Sequence, residues 1–492
     1  MNVLLITPYI NMNVNSTLQR DDFYPSAALL HLAAVLRDNN HKPIILDLNN
    51  AVVYRKKNKY LDYCKKIIIE NLDKHKPDLV GINCLFSGIF PDLLEFAKTI
   101  KSHSPDLNIA IGGIHSTSFY KEILTNCKDI DYVAIGEGEN TIVALADAIE
   151  KKDENKLSEI KSFAFRDKKG KVKFNLERDF IEDLDSLPMP AWDLIDINQY
   201  AMNLENYYNP KNLPLKYKAA IFSSRACPLA CNFCDMFLVM GKKHRKRSVK
   251  TIVDEIEFLN KDLGVNYFSF MDDQLTLNRG HVMQLCDEIM LRGLNIQFDT
   301  PNGVWINSLR EDLIAKMVET GLVKINLPIE HGDDYIRNTI IGKNLDREKI
   351  YEVTELCKKY NLMTSGYFIM GFPEDTDETL QNNYDMMIEL QLDNMNIFNV
   401  IPFPGTALFE QAVRDNLLIG KWNLDELWKT PISHIQEDFL IKPYNMDMDD
   451  LRKWRKKFDN IRFKYWKVNP KQNIYQGKLR SSNENQWIYN KV

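Results

Sequence analysis

Residues 225–234 read Arg-Ala-Cys-Pro-Leu-Ala-Cys-Asn-Phe-Cys and place three cysteines, Cys227, Cys231 and Cys234, within eight positions. The whole chain of 492 residues contains eight cysteines, which is too dilute for a disulfide framework. The apolar stretch 217–223 just before this segment predicts a buried strand, and an amphipathic pattern from 249 onwards predicts the helix that follows. The cysteines therefore belong to a loop at the carboxyl end of a parallel strand, where βα folds collect their functional groups.

Three thiolates from one short loop can ligate three corners of a cubane iron–sulfur cluster and leave the fourth iron open for a substrate. Two alternatives stay open: His244 could complete a Cys3His zinc site, or the spacing could be coincidental. Zinc loops usually pair one CxxC with a second, which this sequence lacks, so the cluster is the preferred interpretation. The other five cysteines lie in apolar contexts and are predicted to be packing residues: Cys64, Cys84, Cys127, Cys286 and Cys357.

Working outward from the cysteines, six apolar segments alternate with helical patterns. They are 217–223, 267–271, 296–300, 324–329, 364–370 and 396–401. The first helix shows apolar residues at helical spacing after Ser248, which is placed as its N-cap. Six successive parallel strands with crossover helices predict a partial (βα)6 barrel over residues 218–415.

The first 150 residues show the same alternation. Strands are predicted at 3–7, 43–48, 79–84, 109–112 and 132–135, with helices at 25–38, 60–72, 91–102, 119–125 and 141–150. Continuous apolar strands alternating with helices indicate a doubly wound parallel sheet covered on both faces. Ligands of such a sheet bind beyond the carboxyl ends of its strands.

The turns at those strand ends are rich in small residues. They contain Thr7, Ser87, Gly112, Gly113, His115, Gly136, Glu137 and Gly138. Any one of them reads as an ordinary tight turn, but four such turns together favour a ligand site, because small residues let a ligand approach the backbone. No GxGxxG follows the first strand, so a dinucleotide fingerprint is lacking.

The remaining segments complete the predicted domain order. Residues 1–150 form the sheet domain, 151–217 a connector with a hairpin, 218–415 the barrel, and 416–492 a helical tail. The tail is predicted to contain a helix at 448–465, to become disordered beyond Asn469, and to use its tryptophans as core. Those tryptophans are Trp422, Trp428, Trp454 and Trp466.

Composition excludes several classes of protein. The chain is 45% hydrophobic and 27% charged, which is globular rather than disordered or fibrous. A net charge of −5 gives no bulk reason to expect nucleic-acid binding, and the basic run 242–247 is interpreted as a solvated face. No apolar run reaches the ~18 residues of a membrane span, and the start lacks a signal-peptide pattern. We therefore expect a cytoplasmic protein in a reducing compartment.

The cysteine segment, with the aromatic Phe233 before its last cysteine, resembles the radical S-adenosylmethionine (SAM) superfamily. Segments at later strand ends extend the resemblance: 271–274 (Met-Asp-Asp-Gln), 328–332 (Pro-Ile-Glu-His-Gly), 368–374 (Phe-Ile-Met-Gly-Phe-Pro-Glu) and 401–406 (Ile-Pro-Phe-Pro-Gly-Thr). Two residues depart from the usual pattern, since His331 stands where related enzymes carry serine and Tyr367 where glycine is common.

The resemblance implies roles for particular residues. Asp272 or Asp273 would accept hydrogen bonds from the SAM ammonium, although both could instead cap the helix near Arg279. Glu330 would reach a ribose hydroxyl or the substrate, although a salt bridge within the barrel is the alternative. Two further positions would contact the cofactor, namely Gly371 in the adenine-binding segment and Pro402 in the sixth-strand segment.

The amino-terminal turns resemble the cobalamin-binding domain that is fused to many radical SAM proteins. The Asp-x-His-x-x-Gly loop that supplies an axial histidine in some cobalamin proteins is absent after the first strand. Cobalamin would therefore bind without a protein histidine below cobalt. Together, the two resemblances cover about 415 of the 492 residues.

The resemblance implies an enzyme with a 4Fe-4S cluster, SAM and cobalamin as cofactors. A 5′-deoxyadenosyl radical would abstract hydrogen from an unactivated carbon, which would then receive a methyl group from methylcobalamin. The alternatives are a cyclisation, ring contraction or rearrangement with the same cofactors, and a sensor or electron carrier without turnover. The implied partners are a small-molecule substrate or biosynthetic intermediate and an external electron donor such as flavodoxin or ferredoxin. The substrate leaves no signature in the sequence.

Overall fold

The structure is a computed structural model, and it describes residues 1–8, 24–51, 60–202, 207–420, 424–429 and 438–466. All eleven strands predicted in the two βα regions are present, and their ends lie within two residues of the predicted ones. Among the described helices, none combines the length and the apolar character that crossing a membrane requires.

The amino-terminal domain is built on a seven-stranded sheet. Its strands are β1 (Asn2–Thr7), β2 (Lys42–Asp47), β3 (Leu79–Asn83), β4 (Asn108–Gly112), β5 (Tyr132–Ala134), β6 (Phe163–Arg166) and β7 (Val172–Asn175). They lie in the order β2-β1-β3-β4-β5-β6-β7, and the first five are parallel. In this order the chain reverses direction across the sheet between β1 and β3, which is where doubly wound sheets bind ligands.

In the part of this domain that the structure describes, the α-helices are α1 (Ala27–Asp38), α2 (Leu48–Ala51), α3 (Tyr60–His75), α4 (Phe90–His103), α5 (Ile114–Asn126), α6 (Glu139–Glu150) and α7 (Glu154–Leu157). Two apolar clusters, one on each face, fill the space between sheet and helices. The helix predicted over 119–125 begins five residues earlier, directly after Gly113. His115 therefore lies in the first turn of α5 rather than in a loop.

The hairpin predicted in the connector is present as β6 and β7. It does not stand apart between the domains, because β6 pairs antiparallel with β5 and β7 with β6. The amino-terminal sheet therefore extends to Asn175, beyond the predicted boundary at residue 150.

The second domain is a six-stranded sheet in sequential order: β8 (Tyr217–Ile221), β11 (Val265–Phe270), β12 (Gln297–Thr300), β13 (Leu322–Glu330), β14 (Met363–Met370) and β15 (Asn394–Asn399). All neighbouring strands are parallel. The helices are α8 (Phe237–Met240), α9 (Val249–Lys261), α10 (Arg279–Leu291), α11 (Glu311–Thr320), α12 (Arg347–Lys359), α13 (Asp377–Leu390) and α14 (Ala407–Arg414). Ser248 caps α9 as predicted, since its side chain accepts a hydrogen bond from the Thr251 amide.

Three smaller features complete the fold. A two-stranded antiparallel ribbon, β9 (Ser224–Arg225) and β10 (Arg245–Lys246), flanks the cysteine loop. The tail helix α15 (Met448–Trp466) agrees with the prediction, and its Phe458 is completely buried in the core of the second domain. The short helix Leu424–Lys429 packs Trp428 into the core of the amino-terminal domain. Trp422, the side chain of Trp466 and the segment beyond Asn469 lie outside the described residues.

Candidate functional site

The cysteine loop leaves the ribbon strand β9 through Ala226, whose φ of +72° lies in the left-handed region. Asn232 fixes the middle of the loop, because its amide donates to Ile341 and its carbonyl accepts from Leu408, at 3.1 and 3.0 Å. Burial raises the pKa of the Cys231 thiol to about 11 and that of Cys234 to about 12. Each thiol would lose its proton when it binds a metal centre, because the thiolate is the ligand.

The thiols of the cysteine loop do not form a compact set of ligand atoms. Among the described residues, one trio of His, Cys, Asp and Glu ligand atoms lies within 4.8 Å of one another, and it is His41, Asp147 and Glu150. At least one pair of the three cysteine sulfurs is therefore more than 4.8 Å apart, compared with the ~3.8 Å that separates ligands of a tetrahedral zinc ion with bonds of about 2.3 Å. A cubane cluster, in which each thiolate binds a different iron, accepts such a spacing.

The two consecutive aspartates at the end of β11 face different partners. Asp272 is fully buried, and its Oδ1 accepts from the hydroxyls of Ser223 and Ser224 at 2.6 and 2.5 Å. Its Oδ2 accepts from the Ser223 amide at 3.1 Å. Asp273 accepts from the Ala226 amide and lies close enough to Cys227 for its charge to act on that thiol. Of the two predicted residues, Asp273 is thus the one beside the cysteine loop, while Asp272 anchors the strand that leads into it.

Glu330, the last residue of β13, takes a left-handed φ of +69°. Such strain in a residue other than glycine is typical of functional sites. Its Oε1 accepts from Nζ of the buried Lys343 at 2.7 Å, so the salt bridge considered as an alternative is present. The positive charge of Lys343 acts on Cys231 and Cys227, which places this pair next to the cysteine loop. Lys343 was missed from the sequence, because no periodicity or motif connects it with Glu330.

The unusual His331 lies beside the predicted adenine-binding turn. Its Nδ1 accepts from the Asp333 amide at 3.0 Å, and its Nε2 lies 3.2 Å from Oδ1 of the buried Asp375. Asp375 accepts from the amides of Gly371 and Phe372, at 2.7 and 2.9 Å. The turn is therefore fixed by Asp375, next to which the end of β13 places His331.

Gly371 is a glycine for steric reasons. Its φ is +91°, and a Cβ atom there would lie 2.9 Å from Cδ1 of Phe439. Phe233 packs near the same turn, with its ring centroid 6.2 Å from that of Phe372. The predicted residues of the cysteine loop and of the fifth strand end thus meet in one place.

A cavity of about 380 Å³ lies at the carboxyl end of the amino-terminal sheet. Seven of the eight residues predicted for this site line it: Ser87, Gly112, Gly113, His115, Gly136, Glu137 and Gly138. Thr7 is buried at the end of β1 and lies outside the lining. The size falls within the range of small-molecule and cofactor sites.

The second domain forms the opposite wall of this cavity. Asp235 and Met236, which directly follow the last cysteine, line it together with Val239 and Met240 of α8. Phe403 and Pro404 of the sixth-strand segment also line it, whereas Pro402 is buried behind them. One cavity is therefore bounded by the strand ends of the first domain and by the segment of the second domain that directly follows the last cysteine.

His115 is held at the edge of the cavity in its neutral form. Its Nδ1 lies 2.9 Å from Oγ of Ser87, and its ring lies between Phe90 and Phe119, at centroid distances of 4.3 and 5.0 Å. Burial lowers the pKa of His115 to about 4, against a smaller opposing effect of a hydrogen bond to the Trp428 backbone.

The basic run 242–247 is not a wholly solvated face, so that interpretation is wrong for two of its residues. Arg245 and Arg247 are buried and form ion pairs, whereas Lys242, Lys243 and Lys246 are exposed. Arg245 donates to Oε2 of Glu137 at 2.8 Å, across the domain boundary. The other buried cysteines agree with their predicted packing role, and Cys127 is half-buried.

Two family descriptions match the chain. Residues 221–387 match the Radical SAM superfamily, and residues 18–146 match the B12 binding domain. The two matched ranges contain, respectively, the cysteine loop and most of the cavity-lining turns.

Relatives and solved structures extend over most of the chain. An uncharacterized methyltransferase of Pyrococcus horikoshii is 29% identical over 419 residues, covering 85% of this chain and 84% of the relative. Cytidylyl-2-hydroxyethylphosphonate methyltransferase of Streptomyces wedmorensis is 26% identical, covering 83% and 82%. Anaerobic magnesium-protoporphyrin IX monomethyl ester cyclase of Rubrivivax gelatinosus is 28% identical, covering 71% and 61%. The fold is similar to that of the radical SAM methyltransferase TsrM from Kitasatospora setae, with a TM-score of 0.65 at 18% identity over 84% of this chain and 76% of TsrM.

Proposed function

This chain is a radical SAM enzyme with an amino-terminal B12-binding domain, and we propose that it methylates an unactivated carbon of a small substrate. The observation that carries the proposal is the cavity whose walls come from both domains. A cobalamin in it would lie next to the cysteine loop, because Asp235 lines the cavity and follows Cys234 directly. Two relatives that match more than 80% of the chain are methyltransferases, which supports the proposed reaction type.

The residues present fit the implied cofactors. Cys227, Cys231 and Cys234 would ligate three irons of a 4Fe-4S cluster, and the turns around Gly112 and Gly136 would receive cobalamin. When bound, these groups supply a radical generated by reductive cleavage of SAM and a methyl group for transfer. The electron would come from an external donor such as flavodoxin or ferredoxin.

The chain's own residues would bind and orient SAM. Asp273 presents a carboxylate beside Cys227, where the amino group of a cluster-bound SAM needs an acceptor. Glu330, held by Lys343, presents its second oxygen at the end of β13 for a ribose hydroxyl. The turn at Gly371 offers its fixed backbone to the adenine.

Ring closure or rearrangement with the same cofactors is the second candidate, since the cyclase of Rubrivivax gelatinosus also matches 71% of this chain. A sensor or electron carrier is disfavoured, because it has no need of the predicted adenine-binding turn that Asp375 fixes. Cytoplasmic location remains a prediction from the cysteine usage.

Replacing a predicted cluster ligand tests the cysteine loop. After anaerobic reconstitution we expect about four irons per chain and a brown colour, and Cys231→Ala should lose the cluster. Cys127→Ala is the matched control, because this half-buried thiol lies in the other domain and should leave the iron content unchanged. Stoichiometric zinc in place of iron would refute the cluster.

Cofactor use tests the reaction. Incubation with SAM and a strong reductant should release 5′-deoxyadenosine, and hydroxocobalamin should bind with a spectrum that lacks histidine coordination. Formation of S-adenosylhomocysteine alone under every condition would rule out the radical route. Failure to bind cobalamin would remove the proposed methyl carrier and leave the radical SAM domain unaffected.

A further inference from the structure

Four buried charged residues connect the two domains. Glu137 lies in the turn after β5 and Glu139 is the first residue of α6, and both line the cavity. Arg225 and Arg245 belong to the ribbon beside the cysteine loop. Nη1 and Nη2 of Arg225 donate to Oε1 of Glu137 at 3.1 Å and to Oε1 of Glu139 at 2.5 Å. All four side chains are at least nine-tenths buried.

The ribbon on its own places like charges together. Arg225 and Arg245 are direct partners in the antiparallel register, an arrangement in which like charges repel. Glu137 resolves this conflict, because its Oε1 accepts from Arg225 and its Oε2 accepts from Arg245 at 2.8 Å. Oε2 also accepts from the Ile181 amide at 2.9 Å, which fixes the carboxylate further.

The pKa of Glu139 reflects its pairing with Arg225. Burial alone would raise the pKa of Glu139, yet the charge of Arg225 holds it below its ordinary value. Each charge is therefore tolerated in the interior because its partner from the other domain is present.

Arg225 is separated from the first cysteine by a single residue. That residue, Ala226, has the left-handed backbone that turns the chain into the loop, and its amide donates to Asp273. The ion pairs of Arg225 therefore act one residue away from the start of the cysteine loop.

We propose that Glu137 and Glu139 are positioning residues for the cysteine loop, so that the cavity-lining turn of the first domain sets the place of the metal-binding loop of the second. The catalytic consequence rests on the proposed function: the loop and the cavity must keep a fixed relation for methyl transfer. The positioning of the loop by these two glutamates applies also to the protein without cofactors.

Hydrogen exchange of the full chain without cofactors tests whether the two glutamates position the cysteine loop. Glu137→Gln keeps the side-chain shape and removes the charge between the two arginines. We expect amide exchange of residues 226–240 to rise at least about tenfold, while β1, β3 and β4 stay protected. Arg225→Lys keeps the positive charge but cannot donate to Glu137 and Glu139 through two separate nitrogens. It should raise the amide exchange of residues 226–240 in the same way.

Asp459→Asn is the matched control, because it removes a buried carboxylate that pairs with Arg455 on α15, away from the ribbon. It should leave residues 226–240 unchanged. Unaltered exchange of this segment in Glu137→Gln, or an equal rise along the whole chain, would overturn the positioning role.

The loaded enzyme provides the second readout. In Arg225→Lys we expect a weaker spin–spin interaction between cobalt(II) and the reduced cluster, and more 5′-deoxyadenosine released per methyl transferred. A wild-type protein that binds neither cofactor would refute the proposed function but not the exchange result. A wild-type protein that binds both, with Arg225→Lys indistinguishable from it, would refute the inference.

Discussion

Asp272 and Asp273 are consecutive in the chain, yet their carboxylates face different parts of the protein. Asp272 receives three hydrogen bonds from Ser223 and Ser224, and so holds the end of β8 against the end of β11. Asp273 lies beside the cysteine loop, and burial together with the charge of Asp272 raises its pKa to about 6. Sequence alone placed both at the right strand end but had no means of separating them, since the partners of Asp272 lie 49 positions away.

Alanine at each position should separate the two roles. Asp272→Ala leaves one amide and two hydroxyls buried without their acceptor, so we expect a loss of at least about 2 kcal/mol in the free energy of unfolding. Asp273→Ala should cost about 1 kcal/mol and weaken SAM binding instead. Urea titration and SAM titration of both variants measure this contrast, and equal effects on both quantities would contradict it.

His115 makes the stability of the chain depend on pH. Its folded-state pKa of about 4 lies below the ordinary ~6.5, so between these values the unfolded chain binds a proton that the folded protein does not. Stability should therefore fall as the pH falls from about 6.5 to about 4, by up to ~3 kcal/mol from this residue. His115→Gln should flatten this part of the profile in cofactor-free protein. The difference in the free energy of unfolding between the two proteins at pH 7.5 measures the change in packing alone. If the variant kept the same dependence of stability on pH, His115 would not be its source.

At the scale of elements, the turn between β4 and α5 is determined by glycine. Gly113 has a φ of +114°, and a Cβ atom there would lie 2.5 Å from the backbone oxygen of Cys84. This contact involves main chain on both sides, so no side-chain rotation can relieve it. The turn therefore keeps the adjacent strand ends β3 and β4 at a fixed separation where they line the cavity.

Gly113→Ala should destabilise the amino-terminal domain by more than ~2 kcal/mol, because conformational strain and the clash with Cys84 add. Gly170→Ala is the matched control, since Gly170 also has a positive φ (+76°) but open space around its Cα. It should cost about 1 kcal/mol. Denaturant titration measures the free energy of unfolding of both variants. Equal losses in the two would mean that the clash with Cys84 is relieved by a shift elsewhere.

The elements themselves were largely predictable, because apolar runs and helical spacing are local properties of the sequence. The strand ends, the hairpin, the cap at Ser248 and the tail helix all follow from such patterns. Contacts between distant segments were not predictable: the pairing of β6 with β5, and the burial of Arg245 against Glu137. A basic run looks the same in a sequence whether its partners are water or carboxylates from another domain.

At the scale of the whole molecule, the tail contributes to both domains. Trp428 packs against Phe90 of the amino-terminal domain at a centroid distance of 6.1 Å, whereas Phe458 of α15 is buried in the second domain beside Tyr384. The chain thus returns from the second domain to the first before α15 packs on the second domain again. Of the tail tryptophans, Trp428 packs into the core of the amino-terminal domain rather than into a core of the tail, and the partly buried Trp454 packs against the core of the second domain.

Two alanine substitutions should separate the contributions of the tail to the two domains. Trp428→Ala should lower the stability of the first domain by about 3 kcal/mol and leave the second unchanged, and Phe458→Ala should do the opposite. A chain of several domains does not unfold in two states, so domain-resolved hydrogen exchange is the appropriate measurement. Lys456→Ala, an exposed position on α15, should affect neither domain. Loss of protection in both domains from either change would contradict this division.

The return of the tail to the first domain has a consequence for the order of events during synthesis. The amino-terminal sheet is complete at Asn175, whereas Trp428 is added about 250 residues later. At about 5–20 residues per second, the ribosome needs roughly 10–50 s for that distance. During this interval the nascent sheet exposes the apolar surface around Phe90 that Trp428 later covers. The core of the first domain is thus completed by a segment made long after its sheet, and the surface that Trp428 covers is where we expect a chaperone to bind the nascent chain.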